Sequence, residues 1–174
     1  MQIIKTHYHP EVHTLENKSI FTRLATRSIT VQEDAILLLY TARYEDYSLP
    51  GGGLDLGEDK VSGMVRELSE ETGATNINNI KPFGAYEEYR PWHKPDYDIQ
   101  YMISYCYTCE IDKELGSANL ESHEINNGMN AIWINIHEAI SHNIETMATS
   151  SKKGMSIERE TFLLQLIADR VVNK

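Results

Sequence analysis

A chain of 174 residues with 41% hydrophobic content has the material for one folded domain with a real core. Its longest apolar run, AILLLY at 35–40, is far too short to span a bilayer. A net charge of −10 repels a phosphate backbone, which excludes polymeric nucleic acid as an expected partner but not a small anion met by local cations.

The start, MQIIKTHYHPEV, lacks the basic, apolar and small-residue regions of a secretion signal, so the expected location is cytoplasmic. His7, His9 and His13 have loose metal-ligand spacing, but their segment reads as a mobile terminus. IFTRLATRSITVQ (20–32) reads as one strand, ED (33–34) as a turn and AILLLYTAR (35–43) as a more buried strand. A loop follows over 44–59, with a short strand at Tyr47–Leu49. The spacing predicts a helix from Lys60 to Thr72, stopped by Gly73 as C-cap.

Residues 77–90 and 97–111 read as strands, with Pro91 and Pro95 bracketing their connection. Cys106 and Cys109 form a C-x-x-C spacing, yet on a strand residues three apart face opposite sides. No second cysteine pair exists in the sequence, so both read as structural rather than redox or zinc residues. NAIWINI (130–136) is a short strand, His137–Met147 a helix and 156–172 an amphipathic helix with Leu163, Leu166, Ile167 and Val171 on one stripe. The order of elements suits one α/β domain over 1–174, a mixed sheet flanked by helices on both faces.

Within the helix at 60–72, Val61, Met64, Val65 and Leu68 share one side and would face the core. Glu67, Glu70 and Glu71 share another, at i, i+3 and i+4. Like charges at this spacing destabilise a helix, and more so near its negative C-terminal pole. A solvated acidic face would leave the preceding glycine run unexplained. Three converging carboxylates instead form a hard-oxygen site suited to Mg²⁺ or Mn²⁺. Gly51, Gly52 and Gly53 let the backbone approach a ligand, with carbonyls for metal and amides for phosphate oxygens. Gly63 lies on the carboxylate face and reads as room for substrate or metal, at about 1 kcal/mol of helix stability against Ala. An Arg66–Glu58 pair would anchor loop to helix.

These residues resemble a Nudix box, G-x5-E-x7-R-E-U-x-E-E-x-G-U with U aliphatic, running from Gly52 through Glu58, Arg66, Glu67, Glu70, Glu71 and Gly73 to Ala74. Only the last position departs, being a small Ala. The resemblance implies an α/β/α sandwich with a mixed sheet, and hydrolysis of a nucleoside diphosphate linked to another moiety. By the same resemblance Glu67 and Glu71 are primary metal ligands with the Gly51 carbonyl, Glu70 is a further ligand or the base, and Glu58 and Arg66 are architectural.

A further carboxylate is expected outside the box, with Glu124 favoured, Glu121 second, and Glu87 or Glu88 as alternatives on a strand. Arg23, Arg27, Arg43 and Arg90 are candidates to contact phosphates, each against an ordinary surface or ion-pair role; Arg43, which closes a strand feeding the loop, and Arg27 are assigned to substrate together with Gly52 and Gly53. Tyr44, Tyr47, Tyr86, Tyr89 and Trp92 are candidates to stack on a base, against core or rim packing. Pro91, 17 residues past Ala74, resembles a marker of ADP-ribose-type substrates, which rank level with nucleoside triphosphates. The expected partner is thus a small nucleotide, with no membrane and a homodimer left open. The alternative is a non-catalytic Nudix-like domain that senses a nucleotide.

Overall fold

Strand β4 (Ala35–Thr41) separates the layers of the molecule. Alternate residues of a strand face opposite ways. Leu37 packs with Met64, Leu68, Tyr107 and Cys109, whereas Ile36 and Leu38 pack with Ile136, Ala139, Leu163, Leu164 and Ile167. A computed structural model describes residues 1–172; the last two residues of the expected 1–174 domain lie outside the described residues.

The other strands are β1 (Ile3–Tyr8), β2 (Ile20–Ile29), β3 (Val31–Gln32), β5 (Asp46–Ser48), β6 (Asn78–Pro91), β7 (Ile99–Glu110) and β8 (Met129–Asn135). The helices are α1 (Lys60–Thr72), α2 (Ser122–Asn126), α3 (Ile136–Thr149) and α4 (Ile157–Ile167), the last continuing as a π-helical turn over Ala168–Val172. The first sheet has the order β1-β6-β7-β2, with both outer pairings parallel and the central one antiparallel. In the second sheet β4 pairs antiparallel with β8 on one side and with β3 and β5 on the other. Helix α1 covers one face, and α3 and α4 cover the opposite one. The expected α/β/α layering with a mixed sheet is present, and the strands are divided between two sheets. The division falls inside the segment 20–32, because β2 ends in the first sheet at Ile29 and β3 begins in the second at Val31.

Two further expectations need correction. The N-terminal segment is not a mobile tail: Ile3–Tyr8 pairs parallel with β6, setting His7 opposite Glu88 and Tyr8 opposite Tyr89. The stretch around Glu121 and Glu124 is partly the short helix α2. Cys106 and Cys109 are buried free thiols in the two separate cores, and burial pushes the Cys106 thiol up to about 12.

Helix α1 starts and stops where its side chains dictate. The Asp59 carboxylate accepts hydrogen bonds from the Val61 and Ser62 amides, both at 3.0 Å. Gly73 ends the helix in the left-handed conformation at φ 71°. Met64 and Leu68 are fully buried, with Val61 and Val65 packed beside them.

Candidate active site

The glycine loop lies antiparallel against β2. The Ser28 amide donates to the Pro50 carbonyl, Thr26 to Gly52, and Leu54 to Leu24, each at 2.9 Å. A side chain at Gly51, which sits at φ 140°, would run into the Thr26 carbonyl. One at Gly52 would end 2.5 Å from Glu67 Oε1. The glycines therefore let the loop be pinched between a strand backbone and a helix carboxylate.

Arg66 fixes the loop to α1. Its guanidinium donates from Nε and Nη2 to the two oxygens of Glu58, each at 2.9 Å, a fork-to-fork pair. It also reaches the Gly53 carbonyl at 3.3 Å, Glu67 at 2.9 Å and Glu70 at 3.3 Å. These hydrogen bonds, with a further one from the Asp55 amide, hold the Glu58 carboxyl down at about 2. Gly63 has a different purpose from the one expected: an added Cβ there would strike Leu54 and crowd Glu58, so it makes room for the loop rather than for a ligand.

The three glutamates do not share one environment. Glu71 is 4% exposed and its Oε2 accepts from the Gly51 amide at 2.6 Å. Burial, opposed by that hydrogen bond and by Arg27, pushes its carboxyl up to about 8. Burial also raises Glu67, against the pull of Arg66. Glu70 is different, with its side chain 44% exposed and turned to Arg66.

A cavity of about 940 Å³ collects Glu67, Glu71, Gly51, Gly52, Gly53, Arg23, Arg27, Glu121 and Glu124. Glu70 and Arg43 are not in its lining. The turn after Thr41 carries Arg43 away, and its Nη1 donates to Asn127 Oδ1 at 3.0 Å instead. Glu124 is 8% exposed, near enough to raise Glu71, and its Oε2 accepts from the Glu121 amide at 2.7 Å. Glu87 and Glu88 face away from each other and neither lines the cavity. Glu87 accepts from Thr6 and Tyr101, and Glu88 pairs with Arg159.

Arg27 is 9% exposed, donates to the Thr26 carbonyl, and leaves its buried Nε without a hydrogen-bond partner among the described residues. Glu160 Oε1 stands 3.7 Å from that nitrogen. Glu160 itself is fully buried and accepts from the Leu49 amide and from Arg159. Sequence reasoning missed this carboxylate, although the adjacent opposite charges Arg159–Glu160, directly before the apolar run of the helix, were the available signal. Arg90 is held by Gln100 outside the cavity. Of the aromatic candidates, Tyr86 is core, Tyr47 packs on Tyr40 and His142, Tyr89 is stacked between Tyr8 and Tyr101, and Tyr44 lies under Arg43. Pro91 is outside the cavity, but Trp92 beside it packs on Phe21, a lining residue that sequence reasoning passed over.

No three His, Cys, Asp or Glu side chains among the described residues stand close enough together to hold a metal ion. Glu67 and Glu71 nevertheless line one cavity with Gly51, oxygen donors of the kind that a hard divalent cation takes. Burial favours the protonated Glu71 carboxyl, whereas a cation bound beside it would favour the ionised one.

A family model for the NUDIX domain matches residues 22–156, and the chain belongs to the Nudix hydrolase family. An RNA pyrophosphohydrolase of Ruthia magnifica subsp. Calyptogena magnifica is 30% identical over 73 residues, 42% of this chain and 40% of that protein. An 8-oxo-(d)GTP phosphatase of Mycolicibacterium smegmatis is 43% identical over 42 residues, 24% of this chain and 13% of that protein. The matches thus span less than half the length of either relative. Among solved structures, a NUDIX hydrolase from Nitrosomonas europaea superposes with a TM-score of 0.57 at 16% identity, over 86% of this chain and 92% of that one. A MutT NUDIX hydrolase from Burkholderia pseudomallei gives 0.50 at 16% identity, over 67% and 85%. At these identities the structural likeness speaks for the fold. No helix among the described residues is long and apolar enough to cross a membrane.

Proposed function

We propose that this protein is a metal-dependent hydrolase that cleaves a phosphoanhydride bond of a nucleoside diphosphate derivative, either a nucleoside triphosphate or an ADP-ribose-type molecule. The observation that carries the reading is the meeting of Glu67 and Glu71 with the glycine loop and with Arg23, Arg27 and Arg66 in one cavity. The pyrophosphohydrolase and phosphatase names of the two relatives point to the same bond.

Glu67, Glu71 and the Gly51 carbonyl would hold Mg²⁺ or Mn²⁺. Once bound, such an ion neutralises phosphate oxygens and makes water a stronger acid. Arg23 offers a positive charge beside Gly53 to a phosphate oxygen, and Arg27 adds a second charge from the cavity lining while its Nε faces the buried Glu160. Glu124 stands at the cavity wall to take the proton of the attacking water. Arg66 and Glu58 keep the loop at the distance the carboxylates require. A cytoplasmic location belongs to the same reading.

The test is phosphate release from a panel of nucleoside triphosphates, ADP-ribose and related compounds, with Mg²⁺, with Mn²⁺ and in EDTA. Metal-dependent release supports the reading. Tight nucleotide binding without release under any condition would favour the sensor alternative.

A further inference from the structure

We infer that Phe21, braced by Trp92 and Tyr97, is the surface on which the aromatic base of the substrate docks, with Arg23 bridging from it to the reaction centre. The inference rests on the proposed hydrolysis of a nucleoside diphosphate derivative and says where its nucleoside half lies.

The cavity has two unlike ends. Phe21, Arg23, Ala25 and Arg27 occupy one face of β2, since alternate residues share a face. Ala25 pairs with Gly53, next to the Gly52 that touches Glu67, so the carboxylates stand level with the middle of this row. At about 3.3 Å per residue, Phe21 is about 13 Å along the strand from that point. Arg27, Glu71 and Glu124 crowd the inner end, where charge dominates. Phe21 stands at the other end, and the apolar Leu54 and the fully exposed Leu56 belong to the same lining. Apolar side chains in the lining of a polar cavity suit the apolar part of a ligand.

The Phe21 ring is held in place before any ligand arrives. Trp92 lies at 4.7 Å between ring centroids and Tyr97 at 5.6 Å. Trp92 is itself fixed, its indole N–H donating to Asp96 Oδ1 at 2.8 Å and its amide to the Asp98 carbonyl at 3.1 Å. Lys94 stands 5.7 Å over the same indole. The tip between β6 and β7 thus braces Phe21, which is also part of the cavity lining. Every nucleobase has a π-face that stacks on such a ring, and a rigid aromatic wall loses little entropy in binding.

Arg23 connects the two ends. It is exposed, makes no ion pair among the described residues, and its guanidinium lies against Gly53, where an added Cβ would come to 3.1 Å. A phosphate placed there has the base on one side and the carboxylate row on the other.

The experiment compares AMP and GMP with ribose 5-phosphate, which lacks only the base, by tryptophan emission of the whole protein. The nucleotides should change the emission and ribose 5-phosphate should not. Trp92→Phe should silence the change, since the other tryptophan, Trp133, packs with the α1 core. Phe21→Ala should weaken AMP binding about tenfold. In turnover it should raise KM by a similar factor with kcat within threefold, and Phe21→Leu, which keeps the apolar contact, should fall between. Equal responses to AMP and ribose 5-phosphate, or an unchanged KM in a folded Phe21→Ala protein that still hydrolyses nucleotides, would overturn this inference and leave the hydrolase reading intact. A base-dependent Trp92 signal in a protein that hydrolyses nothing would sustain the docking surface and defeat the hydrolase reading.

Discussion

The Gly51 amide donates a 2.6 Å hydrogen bond to Glu71 Oε2, so the last turn of α1 and the first glycine of the loop are joined at a buried point. That bond gives the Glu71 carboxylate a partner but not a counter-charge, and its carboxyl is pushed up to about 8 by burial. A divalent cation would supply the missing charge. Glu71→Gln keeps the shape and an acceptor oxygen for Gly51, so the variant should fold. Its turnover should drop by at least 10²-fold. Mg²⁺ should raise the melting temperature of the wild-type protein, because a ligand that binds only the folded state stabilises it by mass action. In the variant that shift should shrink or vanish, which a thermal scan with and without EDTA will read directly.

Much of this site was legible in the sequence. Helix α1 runs from Lys60 to Thr72 as expected, because an Asp N-cap, a Gly C-cap and an apolar stripe all agree on its limits. The Arg66–Glu58 pair also lies where the spacing put it. What failed depended on distant partners. Strand β1 reads as a polar terminus because its parallel partner β6 lies some eighty residues away and no turn announces the pairing. The sequence favours Arg43 over Arg27, because Arg43 closes a strand that feeds the loop, but the turn after Thr41 carries it off to Asn127 while Arg27 lines the cavity. Glu160 is buried because the Leu49 amide and Arg27, both more than a hundred residues away in sequence, meet it beside its own helix neighbour Arg159.

Asp46 provides a pH dependence away from the metal ligands. Its carboxyl is 4% exposed and is raised from 3.8 to about 6, mainly by burial and then by Glu160. An acid whose folded value is raised binds its proton more tightly in the folded state. The contribution to stability is therefore best below about 4 and is lost as pH rises through about 6, an effect of at most about 3 kcal/mol. Asp46→Asn should remove that slope and raise the melting temperature at pH 7 by several degrees. Melting curves of both proteins between pH 4 and 8 should converge at the acid end. Parallel curves across the range would mean that Asp46 keeps an ordinary carboxyl.

The base is tested by comparing carboxylates with different surroundings. Glu124 is buried at the cavity wall, Glu121 lines the cavity but is exposed, and Glu70 is turned to Arg66 on the outside. Loss of a general base lowers kcat by about 10²–10⁴-fold. Glu124→Gln should do so at saturating Mg²⁺, whereas Glu121→Gln should stay within about threefold. If both stay within threefold, Glu70 becomes the candidate, and Glu70→Gln must then show the large loss.

The glycine loop predicts two different kinds of damage from one added methyl group. At Gly52 the new Cβ would come to 2.5 Å from Glu67 Oε1, so the carboxylate must swing away or the loop must lift. Neither change disturbs the core, because the Glu67 carboxylate faces the cavity and Arg66 still holds Glu58. Gly52→Ala should therefore melt within a few degrees of the wild type while its kcat falls by at least tenfold, a displacement of about 1 Å being enough for such a loss. At Gly51 the methyl group meets the Thr26 carbonyl, and φ 140° is a conformation that side chains rarely adopt. The strain is then taken by β2 itself, whose Thr26 and Ser28 amides bind the loop. Gly51→Ala should lose both stability and activity, with amide hydrogen exchange rising at Thr26 and Ser28. Equal melting temperatures for the two variants would show that the loop yields at both positions, and that the contact between Gly51 and β2 carries little of the stability assigned to it.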